Sequence, residues 1–282
     1  MNTLILLLLL ITFLYLFTVH PRMRRPDSSL FQNCLFAHRG LHNIKNGIPE
    51  NSLTAFRQAV DAGYGIELDV QLTLDGIPVI FHDSSLSRMC AIDRRLDSMT
   101  FTALRSYFLA GTAEKIPSLA EVLTLVDGKV PLLIEIKMDH FDLRIPETIN
   151  SLLCSYSGAY CIESFHPAAL WWYRKNRPDI LRGQLSTHFN AENHTFSPLQ
   201  FLLGKMVLNL ISRPDFISYN WRFHRDLSLF LCRRLFKADA AGWVIRSEKE
   251  LQTCRRSFNM FIFEDFLPLP QKPLRNKTEV KK

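Results

Sequence analysis

Two carboxylates and an imidazole come close together in sequence around residue 75, and these groups can hold a cation and move protons. Glu67 and Asp69 precede the dipeptide Asp75-Gly76, and His82 follows it. Asp-Gly is typical of a two-residue hairpin loop, because both residues tolerate the positive φ of a type I′ turn. Such a loop would pair position 69 with position 82 and place both side chains on one face, about 5 Å apart. The stretch therefore predicts a divalent-cation site with a proton-transfer group beside it.

The alternative interpretation of this stretch is a surface hairpin whose polar residues face water. The opposite face of the first strand argues against it, since Ile66, Leu68 and Val70 are all apolar. A strand packed on that face lies in the interior, where carboxylates need compensating partners. We therefore expect Glu67 and Asp69 to be buried and functional.

The rest of the chain supplies elements that could position this hairpin. Short apolar runs alternate with amphipathic segments, which is the pattern of a parallel α/β sheet. Strands are predicted near residues 35, 66, 133, 161, 184, 217, 244 and 262. Helices are predicted after a cap at either Asn51 or Ser52 and after a cap at Ser118, and at about 142–156, 166–176, 198–211, 223–237 and 247–257. The fold class is thus α/β, a TIM (β/α)8 barrel with the β-hairpin inserted at its C-terminal mouth.

In this fold the active site lies at the carboxyl ends of the strands. The polar residues at such ends are His38, Arg39, Glu67, Asp69, Glu135 and Lys137. Together with His82 they indicate phosphate ester chemistry. A divalent cation on the three carboxylates would polarise a phosphoryl oxygen, and ligation by oxygen alone favours Mg²⁺ or Ca²⁺. Arg39 could contact the phosphate in a bidentate way, and the two histidines could serve as acid and base.

The N-terminus is almost purely apolar from Thr3 to Val19, which is at the lower limit of length for crossing a bilayer as a helix. A cleaved signal peptide is the alternative, but no small-residue cleavage site follows. Arg22, Arg24 and Arg25 come directly afterwards, so the positive-inside rule places the following domain in the cytoplasm. We therefore expect one retained transmembrane helix at residues 3–19.

Charge and cysteine content narrow the class of protein further. The net charge of +7 comes partly from these arginines and from a basic C-terminal tail. That pattern suits an anionic membrane leaflet, whereas no aromatic-basic motif for nucleic acid is present. The six cysteines include no CxxC pair, which argues against a zinc site. Scattered thiols also fit a reducing cytoplasm.

Several short stretches, in order and with matching spacing, resemble the glycerophosphodiester phosphodiesterase family. They are His38-Arg39-Gly40, Pro49-Glu50-Asn51-Ser52, Glu67-Leu68-Asp69-Val70, Thr73-x-Asp75-Gly76, His82-Asp83, Ile116-Pro117-Ser118-Leu119 and Glu135-Ile136-Lys137. The resemblance runs from about residue 34 to 137 and is weaker beyond, where Ser164-Phe165 and Trp243 are similar to later family features. It departs from the family where Val244-Ile245-Arg246 and Glu264-Asp265 replace Thr-Val-Asn and Thr-Asp.

The resemblance implies a barrel that binds one divalent metal and cleaves glycerophosphodiesters to sn-glycerol 3-phosphate and an alcohol. It implies His38 and His82 as the acid/base pair. It also implies metal ligation by Glu67, Asp69 and Glu135, and substrate contacts by Arg39, Lys137 and Trp243. The resemblance implies that the departures at 244–246 and 264–265 lie next to the alcohol groups of the substrate. They therefore bear on substrate choice rather than on catalysis.

The predicted organisation is an anchor with a basic flank at 1–26, a barrel at 27–270 and a basic disordered tail at 271–282. The very apolar stretch 199–211 is interpreted as an ordinary buried helix, with a helix that rests on a bilayer as the alternative. That alternative and the anchor leave open a lysophospholipase D acting on membrane lysophospholipids. A non-catalytic membrane-bound scaffold would predict an eroded site, yet every central residue is present. A phosphatidylinositol-type phospholipase C would share the fold and the histidines but not the full carboxylate set.

Overall fold

The computed structural model describes residues 2–189 and 197–269, and its centre is a closed ring of eight parallel strands. The strands are β1 Leu35–Ala37, β2 Gly65–Leu72, β3 Pro78–Ile80, β4 Leu132–Ile136, β5 Tyr160–Ser164, β6 Arg182–Ser186, β7 Phe216–Asn220, β8 Asp239–Ile245 and β9 Met260–Phe263. β1 pairs with both β2 and β9, which closes the ring, and β3 runs antiparallel beside β2. The predicted eight-stranded TIM barrel is confirmed.

The helices of the described residues surround this ring. They are Asn2–Val19, Leu53–Asp61, Ser87–Cys90, Phe101–Leu104, Leu119–Val126, Arg144–Leu153, Pro167–Asn176, Pro198–Gly204, Asn209–Ser212, Leu227–Phe230 and Glu248–Cys254, with a π-helix at Leu231–Leu235. The predicted cap at Ser118 is confirmed, and of the two candidates Asn51 and Ser52 the structure selects Ser52. The Ser52 hydroxyl accepts a hydrogen bond from the amide of Ala55, and Ser118 forms a reciprocal capping box with Glu121. Both caps satisfy amides that the first helical turn leaves without partners.

Most residues of the strands are apolar, because helices cover the outside of the ring and side chains fill its inside. Ile66, Leu68 and Val70 of β2 point outwards into the core between barrel and helices. The barrel interior is filled by a second apolar cluster that includes Phe36, Leu133 and Phe216. Polar groups are thereby confined to the two ends of the barrel.

The hairpin register differs from the prediction by one residue. The pairs are Val70 with Ile80 and Leu72 with Pro78, so the loop between positions 73 and 77 has three residues rather than two. Gly76 has a φ of +77° but Asp75 does not adopt a positive φ, so a type I′ turn does not form. The Asp75 carboxylate instead accepts hydrogen bonds from the Thr73 hydroxyl and the Phe101 amide. The predicted pairing of positions 69 and 82 is therefore wrong.

Two of the predicted long helices are interrupted. The predicted helix 198–211 is divided into Pro198–Gly204 and Asn209–Ser212, with Met206 at a φ of +55° between them. Gly204 approaches the carbonyl of Thr187 so closely that a Cβ there would lie 3.1 Å from the oxygen. This approach accounts for a glycine at the end of the first piece. The predicted helix 223–237 is likewise a short α-turn followed by the π-helix.

The N-terminal helix Asn2–Val19 forms over the predicted apolar stretch. Its side chains from Leu4 to Leu14 are largely exposed, whereas Val19 is completely buried. The part of the chain that the structure describes contains no helix long and apolar enough to cross a membrane. The transmembrane part of the predicted fold is therefore not supported.

The last turns of this helix are fixed to the side of the barrel. The side-chain amide of Asn209 donates a hydrogen bond to the Val19 carbonyl at 2.9 Å, and Arg213 donates to the Phe17 carbonyl at 3.0 Å. One turn earlier, the Tyr15 hydroxyl donates to the Lys205 carbonyl at 3.3 Å. The chain from 198 to 212 descends from the mouth to the amino ends of the strands. Tyr15 contacts residue 205 and Val19 contacts residue 209, so the N-terminal helix runs in the same direction as this segment. Its first residues therefore lie on the side of the mouth.

The segment after the helix crosses the amino-terminal end of the barrel. Arg22 forms an ion pair with Asp215 at 3.5 Å, and Arg25 donates hydrogen bonds to the carbonyls of Phe236 and Lys237. Phe31 inserts into the interior cluster from below. The predicted tail 271–282 lies outside the described residues.

Candidate active site

Three carboxylates form the centre of the mouth. Glu67 and Asp69 alternate along β2 and so point to the same side, and Glu135 of β4 pairs in register with Asp69. All three residues are buried, and one oxygen from each lies within 4.8 Å of the others. This arrangement of oxygen donors alone fits a hard divalent cation such as Mg²⁺ or Ca²⁺.

Two cations compensate part of this negative charge. Lys137 Nζ lies 3.2 Å from Asp69 and 2.9 Å from Glu135, and the Arg39 side chain lies 3.5 Å from Asp69. The backbone amide of Arg39 donates to Glu67 at 2.9 Å, and the Asn51 amide donates to Asp69 at 2.9 Å. Asp69 is therefore the best compensated of the three carboxylates.

The pKa values of the three groups follow this uneven compensation. Burial would raise the pKa of Asp69, but Lys137 and Arg39 outweigh it and hold that pKa below its usual range. Burial, together with the neighbouring carboxylates, raises the pKa of Glu67 well above its ordinary value. Burial likewise raises the pKa of Glu135 to about 7 against the attraction of Lys137. The cluster thus lacks positive charge, which a bound divalent cation would supply.

His38 directly follows β1, and its ring is held by Glu264, which directly follows the last strand, β9. Its Nδ1 contacts a carboxylate oxygen of Glu264, while its Nε2 lies 4.0 Å from Glu67. The other oxygen of Glu264 pairs with Arg246. Burial lowers the pKa of His38 while Glu264 opposes that shift, and His38 and Arg246 together lower the pKa of Glu264 to about 2 against its burial. Glu264 and Arg246 each stand at a position where the chain departs from the family pattern. These two residues form an ion pair with each other.

His82 lies just beyond β3 and has an equivalent acidic partner. Its Nδ1 lies 2.7 Å from Asp83, whose carboxylate also accepts a hydrogen bond from Arg88. Arg88 in turn donates to Glu50, and Glu50 accepts a hydrogen bond from Arg39 at 2.7 Å. Sequence reasoning did not assign roles to Arg88 or Glu50, although Glu50 belongs to one of the quoted motifs. This network connects the hairpin arm to the loop after β1.

A cleft of about 210 Å³ opens above these groups. It is lined by His38, Arg39, Glu67, His82, Glu135, Lys137, Glu163, Phe165, Leu185, Trp243, Val244, Arg246 and Ile262. Asp69 lies at the same place beneath Lys137, so the mouth brings together all eight residues predicted from the sequence. Phe165 packs edge-on against Trp243 with 6.0 Å between ring centroids. The cleft therefore has a charged half and an aromatic, apolar half.

Glu163 is the cleft residue that sequence reasoning missed. It pairs in register with Glu135, and only 1 % of its surface is exposed. Cys161 and Glu163 alternate along β5 and face the barrel interior. The sequence does indicate Glu163 as a site residue, because it is a charged residue at an inward-facing position of a predicted barrel strand.

These features define a TIM-barrel protein with an acidic, metal-competent mouth flanked by two histidines. The profile of the glycerophosphoryl diester phosphodiesterase family matches residues 38–246, and the chain belongs to this family. The glycerophosphodiester phosphodiesterase of Bacillus altitudinis is 33% identical over 158 residues, which are 52% of this chain and 63% of that protein. Glycerophosphodiester phosphodiesterase 1 of Homo sapiens is 30% identical over 51% of this chain and 46% of that protein. The chain thus spans less than two thirds of the length of these relatives.

Solved structures share the fold over most of the chain. A phosphodiesterase of Oleispira antarctica, in complex with the product sn-glycerol-3-phosphate, is 23% identical, covers 83% of this chain and 94% of its own, and has a TM-score of 0.68. The glycerophosphodiester phosphodiesterase of Thermotoga maritima is also 23% identical, with coverages of 82% and 94% and a TM-score of 0.63. These similarities establish the barrel architecture.

Proposed function

We propose that the protein hydrolyses glycerophosphodiesters to sn-glycerol 3-phosphate and an alcohol and depends on one divalent cation, Mg²⁺ or Ca²⁺. The main observation in favour is the buried carboxylate cluster, whose negative charge exceeds that of its cationic partners and which lies between two carboxylate-held histidines. Family membership and the activity named for the relatives agree with this reaction.

Glu67, Asp69 and Glu135 would hold the cation, which supplies Lewis-acid polarisation of a phosphoryl oxygen when bound. Arg39 and Lys137 supply positive charge at the same rim and orient the phosphate. Both are already held by carboxylates, so little side-chain freedom is lost on binding the substrate. Trp243 forms the wall against which the substrate packs.

The two histidines exchange protons with the substrate. Glu264 at Nδ1 of His38 and Asp83 at Nδ1 of His82 favour the tautomer protonated at Nδ1. Nε2 of each ring is then the proton acceptor. One histidine removes the proton from the nucleophile, and the other, in its protonated form, donates to the leaving alcohol oxygen.

The experiment is a product assay on the full chain with glycerophosphocholine, glycerophosphoethanolamine and glycerophosphoglycerol. We expect sn-glycerol 3-phosphate and the free alcohol to appear, chelation by EDTA to abolish the reaction, and Mg²⁺ or Ca²⁺ to restore it. Full activity after exhaustive dialysis against EDTA would contradict the metal assignment. Absence of turnover on every diester, with the protein folded and metal-loaded, would leave the scaffold alternative.

A second candidate substrate is a membrane lysophospholipid, cleaved by the same site as a lysophospholipase D. The observation that favours it is the N-terminal helix, which begins on the side of the mouth and exposes apolar residues such as Leu6, Leu9 and Phe13. Leu199 and Leu227 add exposed apolar surface beside it. We propose that this helix associates with a membrane, with the barrel 27–270 on the cytoplasmic side.

Support for the cytoplasmic side comes from the six free cysteines, which fit a reducing compartment. The test compares lysophosphatidylcholine in vesicles with glycerophosphocholine in solution. We expect the full chain to sediment with vesicles and Leu6→Glu/Leu9→Glu to remain in the supernatant with normal turnover of glycerophosphocholine. Equal sedimentation of both proteins would contradict the role of the helix.

A further inference from the structure

The projecting part of the N-terminal helix, residues 3–14, is apolar on all of its sides. The consecutive residues from Leu4 to Ile11 are each between 48% and 65% exposed, although they cover more than two turns of helix. No residue from 2 to 19 is charged, and the Thr12 hydroxyl donates to the Leu8 carbonyl at 2.8 Å. Hydrocarbon surrounds such a helix completely, whereas a protein on one side would leave apolar side chains on the other side in water.

This part of the helix leaves the barrel at the level of the mouth. Ser186 is the last residue of β6, and its hydroxyl donates to the Leu203 carbonyl at 2.9 Å. The Tyr15 hydroxyl donates to the carbonyl of Lys205, which lies close behind Leu203 in the chain. Residues 3–14 are all exposed, and at 1.5 Å per residue they extend about 18 Å beyond this level. That length is enough to enter the hydrocarbon of a bilayer on which the mouth rests.

Exposed apolar side chains form a rim surface beside the point where the helix leaves the barrel. The rim surface consists of Leu199, Leu202, Leu227 and Phe230, which are each between 38% and 63% exposed. These side chains belong to two short helices, which a hydrogen bond from Ser228 joins to each other. Both helices come after the carboxyl end of a strand, β6 or β7, so the rim surface lies on the side of the mouth.

Two exposed arginines lie next to the rim surface. Arg222 and Arg225 are in the segment between β7 and Leu227, on the same side of the barrel. Cations beside exposed apolar side chains are the composition of a surface that binds an anionic membrane. A second copy of this chain, by contrast, would bring the same positive charges close together. The charge of this surface therefore favours a lipid bilayer as its partner.

We propose that the rim surface rests on a lipid bilayer and that the mouth of the barrel faces the lipid headgroups. The inference rests on the proposed association of the helix with a membrane and specifies the orientation of the barrel. Residues 3–14 lead from the mouth into the hydrocarbon, while Arg222 and Arg225 lie among anionic headgroups. The cleft then opens towards the bilayer, which is the orientation that cleavage of a membrane lysophospholipid requires.

The experiment measures partitioning of the full chain onto vesicles of phosphatidylcholine and phosphatidylglycerol by sedimentation. Leu199→Glu/Leu227→Glu is expected to weaken partitioning by about 10- to 100-fold, because two leucine side chains lose their contact with the bilayer. Met23→Glu/Leu30→Glu is the matched control, since these residues are 81% and 66% exposed but lie at the amino-terminal end of the barrel. Its partitioning should change by less than about twofold, because neither side chain reaches the bilayer. Both variants should melt at the wild-type temperature, which shows that they are folded.

A second measurement tests the arginines. Wild type should prefer these vesicles to vesicles of phosphatidylcholine alone, and Arg222→Gln/Arg225→Gln should remove most of that preference. An unchanged preference would contradict the place of these arginines at the headgroups.

Three results of the sedimentation experiment would overturn the proposal. A larger loss for Met23→Glu/Leu30→Glu would mean that the amino-terminal end faces the bilayer. Equal losses, or no loss in either variant, would mean that the rim surface does not rest on it. Dimers in solution that do not bind vesicles would assign the helix to a second copy. A wild-type protein that binds vesicles as expected but hydrolyses neither glycerophosphocholine nor lysophosphatidylcholine would instead indicate failure of the proposed reaction.

Discussion

The two ends of the barrel bury charged side chains in opposite ways. At the mouth, Glu67, Glu135 and Glu163 are buried with too little positive charge around them. At the amino-terminal end, Asp215 is almost fully buried but lies between Arg182 at 3.4 Å and Arg22 at 3.5 Å.

Arg182 is satisfied further by two carbonyls, since it donates to Ser212 at 3.1 Å and to Arg213 at 2.7 Å. Even so, burial raises the pKa of Asp215 against the attraction of both guanidinium groups. A buried pair of this kind fixes geometry more than it adds stability. The comparison teaches that balanced burial of charge indicates structure, whereas unbalanced burial beside a cleft indicates a ligand.

Glu67→Gln tests the mouth side of this comparison most strongly. Turnover is expected to fall about a thousandfold or more, because loss of a proposed metal ligand would remove several kcal/mol of transition-state stabilisation. The metal-free variant is nevertheless expected to melt at a higher temperature than metal-free wild type, because repulsion among the carboxylates is reduced. Steady-state kinetics and calorimetric melting check both parts. A lower melting temperature would mean that the carboxylate is structural.

His38→Ala and His82→Ala are expected to reduce turnover by roughly 10² to 10⁴ while fold and metal binding persist. The double variant should be little worse than the more damaged single one, because the two histidines act as a unit. The wild-type rate should show two ionisations in its pH profile. His188→Ala, which lies outside the cleft and contacts Asp226, is the control. Near-normal turnover of both single variants would contradict the assignment of this mouth.

Arg182→Met tests the opposite end. It leaves Asp215 buried with Arg22 as its remaining partner, so unfolding free energy is expected to fall by about 3–5 kcal/mol. The turnover of the remaining folded protein should not change. Adding Asp215→Asn should restore much of the lost stability, since it removes a buried charge that Arg22 alone compensates only in part. Urea denaturation measures the stability and kinetics at the same temperature measure the turnover. A loss of turnover without a loss of stability would contradict the assignment of Arg182 and Asp215 to structure rather than to catalysis.

The smallest expected effect is a pH dependence of stability in the metal-free protein. The folded pKa of Glu135 is raised to about 7, so the folded state binds a proton that the unfolded state has already released above about pH 4.5. The contribution of Glu135 to the free energy of unfolding is then highest below about pH 4.5 and falls as the pH rises towards 7. Glu135→Gln should flatten this slope, and so should saturating Mg²⁺ or Ca²⁺. Chemical denaturation at a series of pH values measures it, and a rising slope would contradict the assigned direction.

Local patterns were sufficient to predict the barrel and most of its mouth. The strand positions follow from apolar runs. The cap Ser118 and the pair of candidates Asn51 and Ser52 follow from hydrogen-bonding chemistry that needs only neighbouring residues. The site residues follow because parallel strands all end at one face. The hairpin register did not follow, because the Asp75 carboxylate is used by the distant Phe101 amide.

Other features depend on contacts that no local pattern contains. The helix break near Gly204 depends on the approach of the Thr187 carbonyl. The pair Arg246 with Glu264 joins two positions that each looked like an isolated departure. Docking of Val19 depends on Asn209, far along the chain. In each case the deciding partner is distant in sequence.

The docked N-terminal helix has a consequence for the order of folding during synthesis. The Tyr15 hydroxyl meets its partner 190 residues later, and the thiol that contacts the Val19 carbonyl, Cys232, comes 213 residues later. β1 likewise needs β9 to close the ring. Contacts of such long sequence separation form slowly and late. The most apolar segment of the chain is therefore made long before its own binding surface, and during that interval it is the part of the nascent protein most exposed to aggregation or capture by a chaperone.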